Sequence, residues 1–385
     1  MGSKFDFIDE ELSRRSRLKQ QRRLQSVEPG EGAWVKVGGR DMINFCSNDY
    51  LGLARHPLLS RRASEFLHCF GTGSTASRLV CGNQVYFEPV EERLAALKGT
   101  EAALIFNSGF QANVSVLPAL ADRNSLILSD RLNHNSLIQG IRLASCRVEI
   151  FNHNDLNHLR SLLQTFSKEA FSRILIVTES IFSMDGDQCP VREMVALAQQ
   201  FNALLVVDEA HATGVAGPRG MGLTCGEGVD VTIGTFSKGC GSFGAYVACS
   251  QKLHDYLINC CGGIIYSTAL PPAVLGAISG ALELIPEMEA QRRELHLNAE
   301  RLRSALGGMD WDCGRSTTQI VPVVVGKEAD TLALSQWLET NQIFAAAIRP
   351  PTVEKDKSRI RLAVTALHQE EDIERVVDAF RRWGK

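Results

Sequence analysis

The chain has 385 residues, 44% hydrophobic, 22% charged and 7% aromatic, with 41 Lys and Arg against 44 Asp and Glu for a net charge of −3. That balance describes a folded chain with more than one unit and disfavours general nucleic-acid binding, which draws on a basic excess. No apolar run approaches the roughly 20 residues that span a bilayer, and the N-terminus carries neither a secretory nor a myristoylation pattern. Eleven cysteines at irregular spacings, with no CxxC pair, suit the buried reduced thiols of a cytoplasmic enzyme better than a disulfide framework or a metal site.

Taken in chain order, residues 1–26 read as one polar helix, with six basic residues between Arg14 and Arg23 facing outward. PGEG and GG turns around AWVKV and MINF in residues 27–45 predict a small hairpin. Beyond them, short runs rich in Val, Ile and Leu alternate with helical stretches. The clearest strands are LILSD (126–130), RILIVTES (173–180), ALLVVDEA (203–210), VTIGTF (231–236) and AYVACS (245–250). Such continuous apolar runs mark strands buried on both faces of a mainly parallel sheet. A proline pair at 271–272 precedes a helical stretch predicted over 273–306. TQIVPVVVG, a helix near 329–341, IFAAAIRPP, SRIRLAVT and a last helix then predict a smaller α/β unit with an antiparallel sheet. The division drawn is an N-terminal helix and hairpin (1–45), a large domain (46–280) and a small C-terminal domain (281–385).

Two motifs mislead. DEAH at 208–211 also occurs in nucleotide-hydrolysing helicases, but these need a GxxxxGK[ST] loop, and Gly326-Lys327 is followed by Glu328. GCGSFG at 239–244 matches the dinucleotide fingerprint in letters, yet it falls between two predicted strands rather than between a strand and a helix.

The informative pattern is an acid and a lysine at neighbouring strand ends. Asp208 closes ALLVVDEA and Lys238 follows VTIGTF, both at the carboxyl edge where open α/β sheets bind ligands. Pyridoxal 5'-phosphate (PLP) needs such a pair: the amine forms a Schiff base with its aldehyde, and the carboxylate keeps the pyridine nitrogen protonated. His211, three residues after Asp208, is placed to donate to the phenolate oxygen, and His134 in SDRLNHNS follows another strand end. NSGFQAN (107–113) opens a helix whose N-terminus, with Gly109 allowing close approach, suits a phosphate, and Thr235 offers a hydroxyl to it. Any one of these residues alone reads as well as a structural one.

Together they resemble a family. FCSNDYLGL, GTGSTASRLVCGN, NSGFQAN, DRLNHNS, TESIFSMDGD, VDEAHATG, GTFSKG, YSTALPP and IRPPTV occur in the order found in the α-oxoamine synthases. These are fold-type-I PLP enzymes that condense an amino acid with an acyl thioester and release CO₂. The resemblance implies a large, mainly parallel seven-stranded sheet sandwiched by helices plus a smaller C-terminal α/β domain. IRPPTV followed by RIRLAVTALH looks most like the biotin-pathway branch, which joins L-alanine to a pimeloyl thioester. One stretch departs: after PPTV the family usually has Pro and a nearby Gly, and here it is EKDKS (354–358).

By motif, the resemblance implies that Lys238 is the Schiff-base lysine, Asp208 the partner of the pyridine nitrogen, His211 and Ser183 the phenolate contacts and His134 the stacking residue. Ser108, Gly109, Phe110 and Thr235 fall where the family binds phosphate. Ser267 and Thr268 fall where it reaches into a neighbouring subunit, implying a homodimer with shared active sites. Arg349 resembles the arginine that takes the substrate carboxylate, with Arg22, Asn48 and Thr352 near the substrates. The partners implied are L-alanine and a pimeloyl thioester carried by coenzyme A or an acyl carrier protein, with no nucleic acid, no membrane and no metal. The cofactor site does not separate this branch from glycine C-acetyltransferase, 5-aminolevulinate synthase or serine palmitoyltransferase. An aminotransferase, or a PLP-fold binding protein without catalysis, stays open as an alternative.

Overall fold

The structure, a computed structural model, describes residues 3–383. The chain forms two compact units. One runs from Asn48 to Ser183 and from Asp187 to Glu294; the other gathers the N-terminal segment up to Ser47, the tripeptide Met184–Gly186 and the chain from Leu295 onward. The linear division drawn from the sequence sets residues 1–45 apart, whereas here that segment and the C-terminal part share a unit.

The larger unit is built on seven strands: β1 (Ala102–Phe106), β2 (Leu126–Asp130), β3 (Arg147–Phe151), β4 (Ile174–Glu179), β5 (Leu204–Asp208), β6 (Val231–Thr235) and β7 (Ala245–Cys249). They lie in the order β1-β7-β6-β5-β4-β2-β3, with β7 antiparallel to both its neighbours and the remaining pairings parallel. Alternate residues feed opposite faces. Val206 packs with Val177, Val231 and Val247 on one side, while Leu205 and Val207 pack with Leu126, Leu128 and Ile176 on the other. Both faces are dry, so the strands carry unbroken apolar runs, each such side chain contributing ~1.5–3 kcal/mol of burial. Three helices matter below: α1 (Phe87–Lys98), α2 (Gly109–Leu120) and α3 (Asn135–Leu143). The edge strand β3, RVEIF, escapes the sequence reading because it is half exposed: Val148 and Ile150 face outward and only Phe151 is buried.

The smaller unit holds an antiparallel sheet, Ile320–Gly326, Ser358–Ala363 and Ala346–Ile348 in that order. The hairpin predicted over 27–45 is a three-stranded antiparallel meander, Val27–Pro29, Trp34–Val37 and Arg40–Asn44, extended by Ile343–Phe344 in parallel. Gly38 and Gly39, at φ of 55 and 79, make the two-residue turn between its last two long strands. Arg359 ties the tripeptide 184–186 into this unit, donating to Asp185 Oδ1 at 2.6 Å and to the Met184 carbonyl at 3.2 Å.

Two helices are shorter than the sequence predicts. The one drawn over 1–26 spans only Asp6–Arg17, buries no residue, and ends where Lys19 turns to φ 55. Without an apolar face against a partner surface, propensity alone carries a helix only a few turns. The stretch at 273–306 is two helices, Pro272–Leu284 and Glu289–Gly307, divided by a 3₁₀ turn at Ile285–Glu287. Pro286 lacks the N–H that a continuous helix would use. No helix among the described residues is long and apolar enough to cross a membrane.

Candidate active site

Because β1, β2, β4, β5 and β6 run in the same direction, their last residues line one edge of the sheet: Phe106, Asp130, Glu179, Asp208 and Thr235. The polar residues the sequence singles out in the larger unit cluster at that edge. Asp208 is buried there. Its Oδ2 accepts from Asn113 Nδ2 at 2.7 Å and its Oδ1 from the Ala210 amide at 2.8 Å. Asn113 lies on α2, inside the NSGFQAN motif, and its Nδ2 also reaches Ser136 Oγ at 2.9 Å, while its Oδ1 is buried without a partner. The sequence reading quotes Asn113 inside the NSGFQAN motif and gives it no role at Asp208, a residue 95 positions away.

His134 caps the N-terminus of α3, its Nδ1 accepting from the Ser136 amide at 3.2 Å with Ser136 Oγ at 2.7 Å. Its own amide donates to Glu179 Oε1 at 2.6 Å. Burial lowers the His134 pKa; Asp208 works against this and the Lys238 charge adds to it. An imidazole held neutral keeps an uncharged ring face for stacking. Glu179 is pushed well above the carboxylate range, first by burial and then by Asp208, so it stands as a proton-bearing group.

Lys238 Nζ lies 2.8 Å from His211 Nε2. His211 Nδ1 lies 2.6 Å from Tyr50 Oη, and Tyr50 Oη donates to Asn48 Oδ1 at 3.1 Å. A hydroxyl that donates to Asn48 accepts from His211, which places the His211 proton on Nδ1 and leaves Nε2 to accept from the lysine. FCSNDYLGL and VDEAHATG, far apart in the chain, thus meet through a Tyr–His contact; Tyr50 is a residue the sequence reading quoted without a role.

Ser108 caps α2, its Oγ accepting from the Gln111 amide at 3.2 Å, and leaves the Gly109 and Phe110 amides at the helix start. A Cβ at Gly109 would stand 3.7 Å from Thr235 Cβ, so the Thr235 side chain faces this helix start. Thr235 Oγ1 donates to the Gly244 carbonyl at 2.8 Å and lies 2.8 Å from Ser237 Oγ. Ser267 accepts from Gln111 Nε2, and the Thr268 carbonyl accepts from Asn107 Nδ2 at 2.8 Å, so YSTALPP runs alongside the same helix start within this chain. Ser183 is buried in the turn after β4.

The substrate candidates of the smaller unit are clustered too. Arg349 Nη1 donates to the Lys19 carbonyl, its Nε is buried without a partner, and burial followed by the nearby Arg22 charge lowers its pKa. Arg22 Nη2 donates to Thr352 Oγ1 at 3.1 Å. Glu354 to Lys357 form a turn, with Asp356 at φ 60, and Ser358 opens the next strand.

A sequence model of the aminotransferase class I and II family matches residues 40–380. The chain belongs to that family. A protein of Desulfosudis oleivorans named "Putative 8-amino-7-oxononanoate synthase" is 57% identical over 100% of both chains. The 8-amino-7-oxononanoate synthase of Gluconacetobacter diazotrophicus is 46% identical, covering 98% of this chain and 97% of its own. Among solved structures, Sphingomonas wittichii serine palmitoyltransferase matches with TM-score 0.91 and 28% identity over 99% of this chain and 97% of that one. The 8-amino-7-oxononanoate synthase of Francisella tularensis matches with TM-score 0.76 and 22% identity over 89% and 98%, and shows the fold alone.

Within this family the chain is a fold-type-I PLP transferase, and its motifs are those of the α-oxoamine synthases. The donor set fits the cofactor: a buried acid, an amine next to a histidine, and a capped helix N-terminus with a facing hydroxyl stand on one sheet edge.

Proposed function

We propose that the enzyme condenses L-alanine with a pimeloyl thioester to give 8-amino-7-oxononanoate, CO₂ and the free thiol, an early step of biotin synthesis. The observation that carries this reading is the full-length identity of 57% and 46% to the Desulfosudis and Gluconacetobacter proteins bearing that name, against 28% to serine palmitoyltransferase.

Bound PLP supplies an electron sink for the charge left at Cα when a C–H or C–C bond breaks. Asp208 keeps the ring nitrogen protonated, and the Asn113 amide fixes that carboxylate. His134 stacks on the ring. Ser183 would donate to the phenolate oxygen, and His211 would stand beside it as the second contact. The Gly109 and Phe110 amides, Ser108 and Thr235 hold the phosphate, with Ser267 and Thr268 serving the site of a second copy in a homodimer. Phe110 and Tyr266, 52% and 85% exposed, support that assembly, since both are large rings next to a polar site. Arg349 takes the alanine carboxylate with its planar fork, and Arg22, Asn48 and Thr352 line the substrates. Lys238 would link to the cofactor aldehyde and, as a free amine tethered beside Cα, would take its proton. Its neighbour His211 Nε2 is placed to accept a proton from the ammonium. The acyl group arrives on coenzyme A or an acyl carrier protein, in the cytoplasm.

The test is thiol release from pimeloyl-CoA by the PLP-loaded protein, with L-alanine, glycine and L-serine in parallel. Release that depends on L-alanine is expected. Release with glycine or serine and not alanine overturns the substrate assignment. A preference for alanine over glycine rests on one methyl group, about 1–3 kcal/mol.

A further inference from the structure

Outside the cofactor cluster one half-buried titratable group is held at both of its ring nitrogens. His153 follows the edge strand β3. Its Nδ1 lies 2.9 Å from Asp130 Oδ1, at the end of β2, and its Nε2 lies 2.7 Å from Asp187 Oδ2. Both carboxylates are buried. Burial opposes a charge on the ring, and the two carboxylates override it, raising the pKa to about 10. A doubly donating imidazolium therefore bridges two acids that would otherwise repel each other in a dry setting. Asn154 completes the clamp, its amide on Asp130 Oδ2 and its Nδ2 on Asp187 Oδ2, both at 3.0 Å.

Asp187 closes the loop that carries Ser183. The Phe182 amide donates to the Asp187 carbonyl at 3.1 Å, the Cys189 amide to the Ser180 carbonyl at 3.0 Å, and Ile181 bridges Gln188. The His153 ring packs edge-on against the Phe182 ring, 4.3 Å between centroids. The residues on either side of the turn are thus fixed by His153, directly at Asp187 and through Phe182 next to Ser183.

We propose that His153 is a positioning residue: clamped between Asp130 and Asp187, it sets the loop so that the Ser183 hydroxyl meets the cofactor. It touches neither cofactor nor substrate. The inference rests on the reading of Ser183 as a phenolate contact. Without the clamp the loop keeps its β-like hydrogen bonds but loses the anchor at Asp187 and the packing on Phe182, and Ser183 loses its aim.

The experiment is a pH titration of the absorption band of the PLP-loaded enzyme, for wild type, Ser183→Ala, His153→Gln and the double variant. A donor to the phenolate stabilises its anionic form, so losing the donor moves the titration midpoint upward by about 0.5–1 unit, the size of one hydrogen bond. His153→Gln is expected to shift the midpoint in the same direction as Ser183→Ala, and the double variant to shift no further than Ser183→Ala alone. A residue that only stabilises the fold would lower the unfolding midpoint and leave the band titration where it was; that result, with Ser183→Ala shifted, overturns this inference and leaves the reading of Ser183 intact. No shift in Ser183→Ala overturns both. Asp187→Asn, which keeps the shape and removes the charge, is read by the same titration and decides the matter if His153→Gln does not fold.

Discussion

Asn113 donates to Asp208 across 2.7 Å, from a helix to the end of a strand that lies 95 residues further along the chain. The same Nδ2 also reaches Ser136, so one amide joins Asp208 to the helix that His134 caps. The carboxylate is thereby fixed by a neutral amide on Oδ2 and by the Ala210 backbone amide on Oδ1.

Replacing Asn113 by Leu removes that donor from Asp208 Oδ2 and leaves only the Ala210 amide on Oδ1. A hydrogen bond to a charged group contributes ~1.5–3 kcal/mol, so PLP affinity of the apoenzyme is expected to fall by about 10- to 100-fold, measured by fluorescence titration with PLP. An unchanged affinity would show that Asp208 needs no support from α2.

Lys238→Ala is expected to abolish thiol release while the protein still takes up PLP without a covalent link, seen as a band that borohydride does not fix. Tyr50→Phe leaves the lysine in place but takes away the acceptor for His211 Nδ1. Turnover is then expected to drop by about fivefold, in keeping with ~1 kcal/mol for one hydrogen bond, with PLP affinity changed less. Equal loss of PLP affinity and turnover would place Tyr50 in cofactor binding instead.

Lys98 and Glu209 form a fully buried ion pair below the same edge, and Glu209 Oε1 also accepts from the Thr224 amide at 2.8 Å. Burial works against the Lys98 charge, and Glu209 with Tyr246 more than restores it. Lys98→Met leaves Glu209 buried alone and is expected to cost about 3–5 kcal/mol in chemical denaturation. A Lys98→Met, Glu209→Gln double variant should recover part of that loss; if it is no better than the single one, the pair's charge is not what the fold relies on.

His368 stacks on Phe45 with ring centroids 4.2 Å apart, accepts from the Thr365 amide through Nδ1 at 2.9 Å, and has its pKa lowered to about 4, chiefly by burial. The folded state therefore prefers the neutral ring. Stability is full above the unfolded-state value near 6.5, falls as pH drops from there toward 4 while only the unfolded state takes up the proton, and levels below. Urea midpoints at pH 7.5, 5.5 and 4.5 are expected to decline more steeply for the wild type than for His368→Asn. Parallel declines would assign the acid sensitivity to other groups.

Much of the fold is readable from the chain because both faces of the central sheet are dry. Strands such as ALLVVDEA then carry apolar runs that no surface element would tolerate. The half-exposed β3, whose Val148 and Ile150 face water, gives no such signal. Length is the weaker reading: the 273–306 helix breaks at Pro286, and the basic N-terminal helix stops at Arg17 because it buries nothing.

The sequence by itself determined the sheet, the acid and lysine at neighbouring strand ends, and the family to which the motifs belong, because each is a local pattern of residue types. Only the tertiary structure decided what fixes those groups. That Asn113 holds Asp208, that Tyr50 sets the proton on His211, and that His153 joins Asp130 to Asp187 are contacts between residues 23 to 161 positions apart. No periodicity links them. They exist because parallel strands bring their carboxyl ends to one edge, where buried polar groups must find their partners in one another.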